Sequence, residues 1–226
     1  LFALPAAAQS LSLDLGQGVN ARALQLVALL TVLSLAPSIL VMVTSFTRIV
    51  VALSLLRSAI GTQTAPPNTV ITALALFLTA FVMSDTFQAA YDGGVKPLIA
   101  GEMQEAEAFT KTVEPFRAFM LKHAREQDIE LFVNLSKGPR PESVETLPLT
   151  TLIPAFMISE LRRAFEIGFL IFLPFLIIDL IVSSILISMG MMMVPPVMVA
   201  LPFKLVFFVI VDGWRLIVGS LVRSFG

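Results

Sequence analysis

The chain of 226 residues has no cysteine and one histidine, His123. The first absence excludes a disulfide framework, a thiolate metal site and a cysteine nucleophile. The second leaves a multi-histidine metal centre or a Ser-His-Asp set with almost nothing to draw on. Charge is scarce as well. Only 14% of residues are charged, against about 25% in a soluble domain. The net charge of −1 gives no basic footprint for phosphates, so nucleic acid is excluded as a partner. No Gly-x-x-x-x-Gly-Lys, His-Glu-x-x-His or Gly-x-Ser-x-Gly pattern occurs, which removes the common phosphate-loop, zinc-hydrolase and serine-hydrolase chemistries. Asp85 and Asp179 lie in apolar segments, so an intramembrane aspartyl protease is worth weighing. Asp179 follows Leu176-Ile177-Ile178 rather than Gly-x-Gly. The chain therefore reads as a non-enzyme with no cofactor.

What is abundant is apolar surface. Hydrophobic residues make up 57% of the chain, with ten Met and eighteen Phe, and the mean hydropathy is +0.90. The charges are unevenly placed: 17 of the 31 fall in residues 92–145. The expected plan is all-α, with two apolar helical hairpins, 22–91 and 149–226, around a polar, mainly helical middle, 92–148. Before these, Leu1-Phe2-Ala3-Leu4-Pro5-Ala6-Ala7-Ala8 has the form of the end of a secretory signal peptide. Its Ala6-x-Ala8 suits cleavage near Ala8. A cleaved signal places residues 92–148 outside the cytoplasmic membrane. It also puts Arg162-Arg163 outside, against the positive-inside rule.

Residues 24–47 carry no charge, and about 20 residues suffice to cross a bilayer. Gly61 to Asn68, with Pro66-Pro67, forms a turn, and residues 70–91 return. In the middle region, Met103, Ala106, Phe109, Val113, Phe116, Met120 and Ala124 recur at helical spacing. Pro115 is expected to open a second helical segment, Asp128 to cap a third and Gly138-Pro139 to stop it. In the last apolar run, Lys204, Asp212 and Arg215 make a poor lipid-facing span, since one central charge costs about 2.5–3.5 kcal/mol. The midpoint of Arg48 and Asp85 falls on Pro66-Pro67, and that of Asp179 and Lys204 falls among the methionines. This spacing predicts ion pairs Arg48–Asp85 and Asp179–Lys204 within each hairpin, with pairing between subunits as the rival. Glu160, Arg162, Arg163, Glu166, Asp212 and Arg215 are further charges available between helices or between subunits.

Five Met lie in residues 189–198. Met191, Met192 and Met193 are consecutive and cannot share one helical face. Together with Met189 they form either a core filler or a soft apolar collar around an oligomer axis.

Pro154-Ala155-Phe156-Met157-Ile158-Ser159-Glu160-Leu161-Arg162-Arg163-Ala164-Phe165 carries a more specific signal. So do Leu173-Pro174-Phe175-Leu176-Ile177-Ile178-Asp179-Leu180, the Met-Met-Met-Val-Pro-Pro run, Leu201-Pro202-Phe203-Lys204 and Val211-Asp212-Gly213-Trp214. With Thr44-Ser45-Phe46-Thr47-Arg48 and Pro66-Pro67-Asn68, these closely resemble the FliP family over nearly the whole chain. The resemblance implies a pore-forming subunit of the flagellar type III protein export gate in the bacterial inner membrane, at the flagellar basal body, with a periplasmic-side portion. It implies a homo-oligomer of several copies with FliQ-type and FliR-type subunits, contacts with larger export-apparatus subunits and membrane lipids, and unfolded flagellar proteins as substrates. It also implies that Met191, Met192 and Met193 belong to a loop that narrows the pore as a gasket. The alternatives are the related subunit of a virulence secretion system and a small-solute or proton transporter using Arg48, Asp85, Asp179 and Lys204.

Overall fold

The computed structural model describes residues 26–27, 30–31, 34–35, 38–62, 64–136, 143–191 and 193–226. The signal-peptide-like segment, Gly138-Pro139 and Met192 lie outside them. The chain divides into two units, Leu1–Leu40 and Val41–Gly226. In the first unit every described residue is helical, and Leu26, Val27, Leu30, Leu35 and Ile39 are exposed.

The second unit is all-α among the described residues. Its centre is α1 (Phe46–Ile60), which buries Ile49, Ala52, Leu53, Leu56, Ala59 and Ile60. Helix α2 (Asn68–Val82) returns beside it through a turn held by Arg57, whose Nη1 donates to the Pro66 carbonyl at 3.3 Å and to Asn68 Oδ1. Gly61 closes α1 with φ +90°, the left-handed conformation glycine adopts without steric cost. Inside the uncharged run 24–47 the backbone breaks at Thr44-Ser45. There the Ser45 N–H donates to Met83 Sδ at 3.3 Å, and Thr47 Oγ1 donates to the Val41 carbonyl at 3.0 Å.

Buried Met83 also marks the 64° bend between α2 and the next helical stretch. That stretch is α3 (Ser84–Ala90), a π-turn (Tyr91–Val95) and α4 (Lys96–Ile99). A Cβ on Gly94 would lie 2.6 Å from the Ala108 carbonyl oxygen and 2.8 Å from the Thr112 nitrogen. Only glycine lets the π-turn lie this close to α5 (Glu105–His123). Helix α5 runs unbroken through Pro115, correcting the expected second start there. Proline removes one backbone bond, but the seam of Ala108, Phe116 and Met120 packs on both sides of it. Helix α6 (Glu126–Leu135) is not capped by Asp128, which sits inside its first turn.

Helix α7 (Leu149–Ser188) is 40 residues long, about 60 Å at 1.5 Å per residue. It is the one helix among the described residues long and apolar enough to cross a membrane; two bent pairs, Asn68–Val82 with Ser84–Ile99 and Pro196–Ile210 with Gly213–Arg223, pass the same test together. Helix α7 runs parallel to α1. Arg48 meets Glu160, Leu55 meets Gly168, and Leu56 and Ile60 share a core with Ile171 and Phe175. Helix α8 (Pro196–Ile210) folds back along α7, with Val182 and Leu186 on Ala200 and Phe175 against Phe207 and Phe208. A 65° bend at Asp212 leads into α9 (Gly213–Arg223). Asp212 has φ +53°, a conformation in which short polar side chains are over-represented. Helix α9 returns along α1 and sets Leu221 and Phe225 on Ile49 and Leu53.

Candidate functional site

Helix α7 ends in a complete Schellman motif. Gly190, at φ +73°, donates to the Ile187 carbonyl at 3.0 Å, and Met191 N–H donates to the Leu186 carbonyl at 2.9 Å. Pro195 then caps α8 and Pro196 occupies its first turn, where a missing N–H costs nothing. Residues 189–195 therefore form a short tip between two firmly ended helices. On it Met189 is 66% exposed, Met191 42% and Met193 98%, with Met198 beside them at 68%. Within the protomer these thioethers fill no core. Beyond Asp179, Val182 and Leu186 of α7 pack on Ala200 of α8.

At the base of this two-helix prong, Lys204 Nζ donates to Asp179 Oδ2 at 2.6 Å and to the Ala59 carbonyl at 3.2 Å. Asp179 Oδ1 is buried without a hydrogen-bond partner among the described residues. Asp179 and Lys204 are thus brought together across the second hairpin. Arg48 and Asp85 are not. Asp85 is exposed and forms no ion pair among the described residues, while Arg48 is engaged elsewhere. Its Nε donates to Glu160 Oε2 at 2.9 Å, its Nη2 to Glu160 Oε1, and its Nη1 to the Ser224 carbonyl at 2.8 Å and Ser224 Oγ at 3.0 Å. Arg48 misses Asp85 because α1 packs more extensively on α7 than on its own hairpin partner. The buried guanidinium therefore meets the acid on α7. A planar two-pronged donor facing a carboxylate is the strongest pairing an arginine makes.

The remaining charges are local. Arg162 and Arg163 reach Glu166 at 3.0 and 3.5 Å, and Arg215 reaches Asp212 at 4.0 Å, all on exposed helix faces. Sequence reasoning missed Ser159, fully buried on α7. It accepts from the Arg125 N–H at 2.9 Å and lies 2.7 Å from Asp128 Oδ2, tying α6 to α7. Ser224 and Phe225 were missed too. Ser224 meets Arg48 across 176 residues of chain, which no local pattern announces.

The model of the FliP family matches residues 29–221. The chain belongs to the FliP family. It is 58% identical to the flagellar biosynthetic protein FliP of Caulobacter vibrioides over 99% of this chain and 84% of that protein. It is 55% identical to that of Bacillus subtilis, over 89% and 91%. It is 50% identical to that of Aquifex aeolicus, over 95% and 91%. The part matched by the FliP family includes the methionine tip and both buried ion pairs.

Proposed function

We propose that the chain is a pore-forming core subunit of the flagellar type III protein export gate, passing unfolded flagellar proteins across the inner membrane, with Met189, Met191, Met192 and Met193 as a deformable gasket. The observation that carries the gasket is the near-complete exposure of Met193 at the end of a prong whose apolar side chains point outward (Leu180, Ile181, Ile185, Val197). Several copies around an axis would turn such tips into an apolar ring. Thioether side chains adapt to a passing chain without holding it. The proposal makes residues 22–91 and 149–226 the assembling hairpins and 92–148 a periplasmic-side region. FliQ-type and FliR-type subunits cover further apolar faces. No catalysis is assigned to this subunit. The small-solute reading draws less support, since Lys204 and Asp179 engage each other. The flagellar relatives favour this gate over a virulence one.

The test replaces Met191, Met192 and Met193 with Ala in the assembled complex. Raised ion conductance or impaired flagellar protein export is expected; unchanged values of both would overturn the gasket.

A further inference from the structure

The residues after α9 close over the most deeply buried charge in the protein. Arg48 is 2% exposed and Glu160 is 0% exposed. The Phe225 ring covers the guanidinium at 3.7 Å, and Ser224 accepts from Nη1, which Glu160 leaves free. Phe225 also makes a T-shaped contact with His123 at 5.5 Å, and His123 lies 4.6 Å from Phe119. Phe119 in turn stacks on Phe225 at 6.2 Å. One aromatic ring thus touches both an obligate cation and the only imidazole in the chain.

We propose that Ser224 and Phe225 form a latch over the Arg48–Glu160 pair, and that protonation of His123 opens it. The groups facing His123 are mostly cationic. Lys122 is its neighbour on α5, Arg48 comes from α1, and Arg163 comes from α7. The acid at this junction, Glu160 on α7, is held by both prongs of Arg48, and Ser224 and Phe225 add no titratable group. A second cation beside Phe225 would join Arg48, Lys122 and Arg163. Burial, with Arg48, Lys122 and Arg163 adding to it, lowers the His123 pKa from 6.5 to about 4. The closed latch therefore holds His123 neutral, while an open one lets it return toward 6.5. Protons favour the open form as pH falls through that window, and at neutral pH the latch is closed.

The absence of cysteine gives a clean test on the full chain in detergent micelles. A nitroxide on Gly226→Cys reports the mobility of the segment, and circular dichroism reports total helix. Spectra are taken from pH 7.5 to 4.5. The expected result is an immobile label at pH 7.5 and a several-fold rise in the mobile fraction by pH 4.5, with helix content unchanged. His123→Phe should stay immobile throughout, and Phe225→Ala should be mobile at both ends. If His123→Phe does not fold, His123→Gln serves in its place. A flat wild-type profile, a rise that survives removal of His123, or a loss of helix that tracks the label would each overturn the latch.

Discussion

Lys204 and Asp179 are 2.6 Å apart, yet their side chains are 6% and 33% exposed. The ammonium is the more deeply buried partner. Asp179→Asn leaves a buried cation without its counter-charge, a loss of about 3–5 kcal/mol for a buried pair. Lys204→Met leaves a carboxylate with one oxygen buried but its side chain one-third exposed, at about 1–3 kcal/mol. Thermal or denaturant unfolding in one detergent should rank Asp179→Asn below Lys204→Met; the reverse order would show that the carboxylate is the stranded group.

For Arg48 and Glu160, each single substitution, Arg48→Met or Glu160→Leu, should cost about 3–5 kcal/mol. The double variant Arg48→Met/Glu160→Leu should cost clearly less than the sum, because no charge is then left buried. A double-mutant cycle by chemical denaturation gives the coupling directly. Simple additivity would contradict the bidentate contact.

Two glycines separate tolerable from intolerable crowding. A Cβ on Gly168 meets the movable end of Leu55 at 2.2 Å, whereas one on Gly94 meets backbone atoms of α5. Gly168→Ala should cost about 1–3 kcal/mol and be partly recovered by Leu55→Ala. Gly94→Ala should cost more and resist rescue by Thr112→Ala, since the Ala108 carbonyl cannot move aside. Melting temperatures of the four variants decide this.

Gly190→Ala puts a Cβ into the left-handed conformation that ends α7. The expected penalty is about 1–2 kcal/mol, with the change in amide exchange confined to Gly190 and Met191. Exchange changes reaching Asp179 would mean that the prong, rather than its cap, had come apart.

Stability should also fall as pH drops from about 6.5 to about 4, because His123 takes up a proton more readily in the unfolded chain. His123→Phe should remove that part of the slope. A denaturant midpoint measured at pH 7 and pH 4.5 in both proteins checks the sign.

The helical class, the Pro66-Pro67 turn and the tip at Pro195-Pro196 were legible because apolar runs, prolines and glycines act locally. Asp179 with Lys204 could be read because a short turn makes their register nearly arithmetic. Arg48 with Glu160 could not: 112 residues separate them, and nothing local says that α1 lies parallel to α7. The break at Thr44-Ser45 escaped notice for a related reason. Its backbone donor is taken by the sulfur of Met83, 38 residues away. Pro115 misled because its local cost is smaller than the packing gained on either side.

The outward-facing side chains of α2 and α8 have a calorimetric consequence. Phe77, Val209 and Ile210 keep 76%, 75% and 77% of their surface accessible within the folded protomer. Unfolding therefore uncovers little additional apolar area from these helices. Since newly hydrated apolar area sets the heat-capacity increment, this chain should fall below the usual ~12–15 cal/mol/K per residue. Its stability curve should be correspondingly flat, with weak cold denaturation and a melting enthalpy that varies little with temperature.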